Sequence, residues 1–285
     1  LSGTSTPSAP AKRGKRPVRW LHYLQNLVLY VATALIFGPI LWLILTGFKT
    51  DGAAYELPPK ILFSPTLEQY SAALQQFWDP FFNSVVVVGA STIICLLLGV
   101  PAAFALTFYS TRASEGIVFW FITTKALPYV AVLVPLFIIF NTFELLDTVW
   151  VLIIVFVGMN TPIVVWMMYQ FMKDLPKEIL EAAQVDGVRT WQMLVQIVIP
   201  LTRAGIAATA MLCVVFAWNE FLFSVSFTAT EWQPLSVAVA AQQSSRGTFW
   251  AQLSAFTSLA IIVPVIVGWL TQKQLVRGLT TGAVK

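Results

Sequence analysis

The sequence predicts an all-α, polytopic membrane protein built on six transmembrane helices, and three observations predict it. Of the 285 residues only 11% are charged and 58% are hydrophobic, whereas soluble domains carry about 25% charged residues. Six stretches, at about 26–47, 82–108, 117–140, 148–172, 204–227 and 252–271, each reach the roughly 20 apolar residues that a hydrocarbon core of about 30 Å requires. All six are apolar around the whole helix rather than along one stripe, unlike the surface helices of a soluble domain.

The chain opens with a basic tail, residues 1–19, rich in Ser, Thr, Pro and Ala and expected to be disordered. The first apolar run is too long for a signal-peptide core and has no small-residue cleavage site, so it reads as a retained spanning helix. Pro39, Pro101, Pro128, Pro135, Pro162 and Pro264 fall inside the apolar runs and predict kinks. Membrane bundles tolerate these where neighbours satisfy the freed backbone groups. Gly99 and Ala103, four residues apart, offer a small-residue face for close helix approach, within this chain or to another subunit. Cys95 and Cys213 each sit inside an apolar run and read as packing residues rather than a disulfide or metal site.

Thirteen of the seventeen Lys and Arg residues lie in the amino-terminal tail, the second and fourth gaps and the carboxy-terminal tail. Lys49, Lys60 and Arg246 lie on the opposite side, and Lys125 lies inside a span. Positive loops stay inside, which places both termini and the polar gap at 173–203 in the cytoplasm. The same segregation accounts for the net charge of +4 without any nucleic acid.

That polar gap needs an explanation in so apolar a chain. Asp174 is positioned to cap a helix starting at Leu175–Pro176, with Gly187 as its left-handed stop. Ile179, Leu180, Ala183 and Val185 would form its apolar side, and Lys177, Glu178, Glu181 and Asp186 its polar side. Thr190 would cap a second helix, Trp191 to Ile199, ended by Pro200. Glu181-Ala182-Ala183, then Gly187 after three residues including Asp186, then Ile197-Val198-Ile199-Pro200 after nine more, resembles the EAA loop of permease subunits of ABC importers. Ile199 stands where that pattern has Leu. Phe216-Ala217-Trp218-Asn219-Glu220-Phe221-Leu222 and the ending from Gln274 through Arg277, Gly278 and Lys285 resemble the carbohydrate-uptake branch, on the MalG side of a two-permease pair. Thr124-Lys125-Ala126-Leu127-Pro128 and Phe249 to Ala255 are most similar to polyol (mannitol/sorbitol) permeases; Tyr129 departs from them, where a second Pro is expected.

The resemblance covers residues 20–285 and implies a type I ABC importer permease fold in a bacterial inner membrane. Residues 20–271 would form the permease domain, coupling helices would lie at about 175–199, and residues 272–285 would be a cytoplasmic tail. It implies that Glu181, Ala182, Ala183, Asp186, Gly187, Ile197 and Pro200 couple to an ATPase. It implies a second ATPase contact at Arg277, Gly278 and Lys285, and a binding-protein contact at Gln242, Gln243 and Arg246. Implied partners are a second permease, two ATPase subunits carrying ATP and Mg, and an extracytoplasmic solute-binding protein. No cofactor is expected on this chain, which has no G-x-x-x-x-G-K-[ST] phosphate loop and no H-E-x-x-H or G-x-S-x-G motif. Its single histidine, His22, is at a helix edge and reads as an interfacial anchor.

Three intramembrane polar residues are candidates for the transport path. Lys125 lies about 12 Å into its span and is either a path or gate residue or a lysine that snorkels or pairs with a carbonyl. Asn219 and Glu220, about 24 Å along the fifth span, would either bind solute hydroxyls or lock helix packing. The alternative function is a stand-alone secondary transporter or channel, but no inverted repeat is evident.

Overall fold

The computed structural model describes residues 19–109, 111–244 and 247–281. The expected disordered tail up to Val18, Arg246 and the last four residues including Lys285 lie outside the described residues, as do the surroundings of the His22 side chain. The described residues are mainly helical: α1 (Arg19–Gly47), α2 (Asp51–Tyr55), α3 (Glu68–Phe108), α4 (Ser114–Thr123), α5 (Tyr129–Thr142), α6 (Val149–Lys173), α7 (Lys177–Val185), α8 (Thr190–Gln192), α9 (Ile199–Leu201), α10 (Arg203–Trp218), α11 (Leu222–Phe227), α12 (Leu235–Ala241) and α13 (Trp250–Thr281). Among the described residues the only strands are an antiparallel pair, Gln243–Ser244 with Gly247–Thr248.

Four helices (α1, α3, α6 and α13) are long and apolar enough to cross a membrane alone. Six spans result if each of two bent pairs counts as one. The third expected span is one of these: α4 and its 3₁₀ extension to Ala126 meet α5 at 89°. The expected kink at Pro128 is thus a full break. Leu127 takes extended ψ of 130° before the proline, as pre-proline residues prefer, and the ring supplies no N–H. The fifth expected span also divides. Its helix stops at Trp218, and a short second helix, α11, begins four residues later. By contrast Pro39, Pro101, Pro162 and Pro264 lie inside continuous helices.

The central pair is α3 and α6, with α10 and α13 packed against it and α1 laid on α13. In lipid, helix association depends on van der Waals packing more than on expulsion of water, so close backbone approach is what holds the pair. A Cβ at Gly99 would lie 2.5 Å from Val164 Cγ1, and one at Gly205 would lie 2.5 Å from Phe171 Cγ. The small-residue face at Gly99 and Ala103 therefore serves an intrachain crossing of α3 on α6, and Gly205 does the same for α10 on α6.

Two polar devices hold the end of the bundle where α1 finishes and α6 begins. Lys49, 2% exposed, donates from Nζ to the Lys60 carbonyl at 2.9 Å and lies over the rings of Trp42 (4.4 Å) and Phe63 (5.1 Å). These contacts replace its hydration shell. Asp147, at φ 55°, accepts backbone N–H groups from Ala229, Thr230, Glu231 and Trp232 at 3.0–3.3 Å. It pins the loop after α11 to the α5–α6 turn. Burial pushes its carboxyl up, but the four N–H groups outweigh burial and hold it at about 2, down from 3.8.

Two expectations follow. Gly99→Leu and Gly205→Leu should each cost about 1–3 kcal/mol, seen as a lowered Tm in detergent, while Gly158→Ala, with nothing within 4 Å of the added carbon, should leave Tm unchanged. Because the folded-state pKa of Asp147 is depressed, its clamp is at full strength above about pH 4 and is lost as pH falls towards 2. Protection of the 229–232 amides against exchange, relative to their intrinsic rates, should fall over that window in the native chain, and at neutral pH already in Asp147→Asn.

Candidate functional site

At the end of the bundle where α3 and α6 finish, α7 to α9 form an elbow that is rooted in the core. α7 begins at Lys177, with Pro176 at the cap position and no side-chain cap. The expected Asp174 cap is absent because Asp174 instead closes the carboxy-terminal end of α6. Gly187 ends the helix at φ 75°, the left-handed conformation expected of it. Leu180 and Ala183, 5% and 6% exposed, share one apolar cluster with Phe104, Met168, Met172, Met193, Leu194 and Val198. The elbow and the spans therefore have a common core.

The opposite side of α7 is bare. Glu181, Ala182 and Asp186 are exposed, and Val185 is 87% exposed. Val185 thus leaves the apolar side assigned to it. At 3.6 residues per turn it lies about 140° from Leu180 around the helix, whereas Ala183 lies about 60° away. Of the two alanines of the motif, Ala183 faces the core and only Ala182 offers a low-bulk outer surface. Trp191, 67% exposed, extends the bare apolar surface beyond the turn.

The second arm differs from expectation in two respects. Thr190 does not cap it. Its hydroxyl is 2.9 Å from Tyr109 Oη at the end of α3, and the Arg189 N–H is met by Gln192 Oε1 at 3.1 Å. Nor does Pro200 end it: the helical path continues through a π turn at Met193–Val198 to Leu201, then bends by 81° into α10. A proline lacks its N–H and crowds the carbonyl four residues back, and a widened turn relieves both. Ile197 is half-buried against the common core, and Pro200 is exposed.

A cavity of about 370 Å³ opens beside the break in the third span, walled by α5, α6 and α11. Lys125 and Tyr129 line it with apolar neighbours such as Leu136, Met159 and Phe223. Lys125 Nζ lies 5.3 Å from the Phe216 ring centre, and among the described residues no carboxylate pairs with it. Asn219 and Glu220 do not line this cavity. Glu220, 9% exposed, accepts the N–H groups of Phe223 (2.9 Å) and Ser224 (3.0 Å) and the Ser224 hydroxyl (2.9 Å). From the position before the cap residue Phe221 it satisfies the first N–H groups of α11, and this competition for backbone groups is what divides the fifth span. Asn219 is exposed and donates to the Val215 carbonyl at 2.8 Å. The Glu220 carboxylate is thus committed to its own segment.

The remaining candidates scatter. Gln242 is half-buried, with Nε2 3.4 Å from Gln76 Oε1, and Gln243 is exposed. Arg277 and Gly278 lie in the last turns of α13, which runs past the expected end of its span.

Residues 95–280 match the family model of the binding-protein-dependent transport system inner membrane component. The chain belongs to that family. It is 30% identical to a probable ABC transporter permease protein of Sinorhizobium fredii over 87% of this chain and 90% of the relative. It is 31% identical to the sulfoquinovosyl glycerol transport system permease protein of Agrobacterium fabrum over 87% of this chain and 88% of the relative. Its fold is similar to a chain in the crystal structure of a bacterial ABC transporter involved in import of the acidic polysaccharide alginate, with a TM-score of 0.75 and 20% identity over 92% of this chain and 99% of that one. Membership in this family displaces the alternative of a stand-alone secondary transporter. The elbow is where the resemblance to the EAA loop falls, and Gly187 turns it at a positive φ that glycine adopts most readily. Gly187→Val should cost about 1–2 kcal/mol, read as a lower Tm or faster proteolysis at 186–190, with the spans intact by circular dichroism.

Proposed function

We propose that this permease is one of two membrane subunits of an ATP-driven importer that carries a sugar or polyol inward. The elbow end of the bundle is cytoplasmic in this reading, which the charge distribution supports, and so are both termini. A solute-binding protein delivers solute at the opposite end, where Gln242, Gln243 and Arg246 are the proposed contacts. ATP and Mg belong to two partner ATPase subunits. The carbohydrate assignment draws on the sequence resemblance and on the relative named for sulfoquinovosyl glycerol transport.

One observation carries the reading: α7 has an exposed outer side and a buried inner side within nine residues. A partner that grips Glu181, Ala182, Val185 and Trp191 from outside would move Leu180 and Ala183, which share one apolar cluster with Met168 and Met172 of α6. ATPase closure is thereby delivered to the spans. Asp186 and Gly187 set the turn, Ile197 and Pro200 carry the second arm into α10, and Arg277 with Gly278 and Lys285 supplies a further contact.

The path reading rests on Lys125. A cation at this depth costs about 2.5–3.5 kcal/mol, and the cavity beside it gives water or solute hydroxyls access to Nζ. Phe216 and Tyr129 add ring faces suited to a sugar.

Val185→Glu and Trp191→Glu should weaken co-purification of the ATPase by about tenfold or more while leaving Tm unchanged, since both side chains are exposed. Retained co-purification and uptake would refute docking at the elbow. Lys125→Gln should raise the KM for solute uptake by about tenfold or more, measured across a panel of sugars and polyols, with ATPase association intact. An unchanged KM for every transported solute would remove Lys125 from the path.

A further inference from the structure

A second feature at the elbow end is not explained by docking or transport. Between the end of α3, the start of α4 and the end of α6 is a cup of about 320 Å³, walled by Arg112, Ser114, Glu115, Lys173 and Leu175. A groove of about 220 Å³ shares Glu115, Tyr169 and Lys173 with it and continues between α4 and α6 past Phe119, Ile122 and Trp166. The cup is polar and the groove apolar, so the two form one amphipathic channel on the outside of the bundle.

We propose that this channel binds an anionic phospholipid, with its phosphate in the cup and one acyl chain in the groove. The charge fits. Arg112 and Lys173 face a single carboxylate, Glu115, which Lys173 meets at 3.3 Å through one oxygen. Among the described residues Arg112 has no ion-pair partner, and it is exposed. The net positive charge of the cup is therefore uncommitted. The shape fits as well. The cup lies where α4 and α6 pass from polar to apolar sequence, the level of the headgroups. From Ser114 to Ile122 the helix provides about 12 Å of groove, along which Phe119 is 68% and Trp166 38% exposed. A phosphate joined to a hydrocarbon chain satisfies both parts, and basic pockets between spans are common seats for such headgroups. Because Leu175 walls the cup, the bound lipid touches the segment that leads into α7.

The test counts lipids on the purified full-length permease by native mass spectrometry after delipidation, with phosphatidylglycerol or phosphatidylcholine of identical chains added back. Phosphatidylglycerol should be retained in preference. Arg112→Gln should weaken its retention by about fivefold, the effect of about 1 kcal/mol per surface cation. Lys173→Gln should weaken it further, since it also leaves Glu115 facing the phosphate unpaired. Lys60→Gln, at the other end of the bundle, should change nothing. Equal retention of the two lipids, or no loss in Arg112→Gln, would overturn the proposal. So would a Phe119→Cys cross-link to the second permease in the assembled importer, which would make the groove a protein interface.

Discussion

The permease depends on one packing arrangement: the inner side of α7 and the buried part of its second arm belong to the same apolar cluster as α3, α6 and α10. Leu180 and Ala183 fill one side of that cluster, and Met193, Leu194 and Val198 fill another. A surface loop tethered only by its ends would absorb a push in its own backbone. Here a displacement of α7 meets interdigitated side chains at interior density, which transmit strain rather than absorb it. The close crossing at Gly99 extends the same continuity from α6 to α3. The elbow is therefore an outward part of the bundle core.

The two helix breaks are the complement of this rigidity. One comes from a proline that lacks a donor, the other from Glu220, which draws N–H groups of the next helix to itself. They divide the third and fifth spans into short rods, and the cavity with Lys125 opens beside the first break. Irregular backbone at membrane depth persists only where protein or water satisfies it, which explains why Glu220 is buried and committed while Lys125 faces open space. At the far end Asp147 and Lys49 do for the loops what the methionines do for the elbow. Asp147 gathers four N–H groups from the distant 229–232 loop, and Lys49 holds the nearby Lys60 carbonyl.

Much of this was legible in the chain itself. Charge poverty and run length establish a helical membrane protein because a bilayer imposes those two quantities directly on any spanning helix. The glycine stop at Gly187 and the small-residue face at Gly99 were equally readable, since each expresses a local steric rule. The spacing of Glu181, Gly187 and Pro200 located the elbow by its resemblance to the EAA loop, not by a steric rule. Helical periodicity was also enough to turn Val185 outward, although apolar character alone assigned it inward.

Tertiary structure decided the rest, because the deciding partners are remote in sequence. Asp147 shows no pattern of its own; it matters because the loop 229–232 turns four donors towards it. Lys125 reads in sequence only as a charge within an apolar run, and residues of α6 and α11 far along the chain make it part of a cavity wall, whereas Glu220 is held by groups only three and four residues on. Thr190 is a plausible cap until Tyr109 is found within hydrogen-bond reach, and Pro200 a plausible stop until a π turn accommodates it. Sequence fixes what each short segment can do on its own, while the fate of a polar group in lipid depends on which distant group completes its hydrogen bonds.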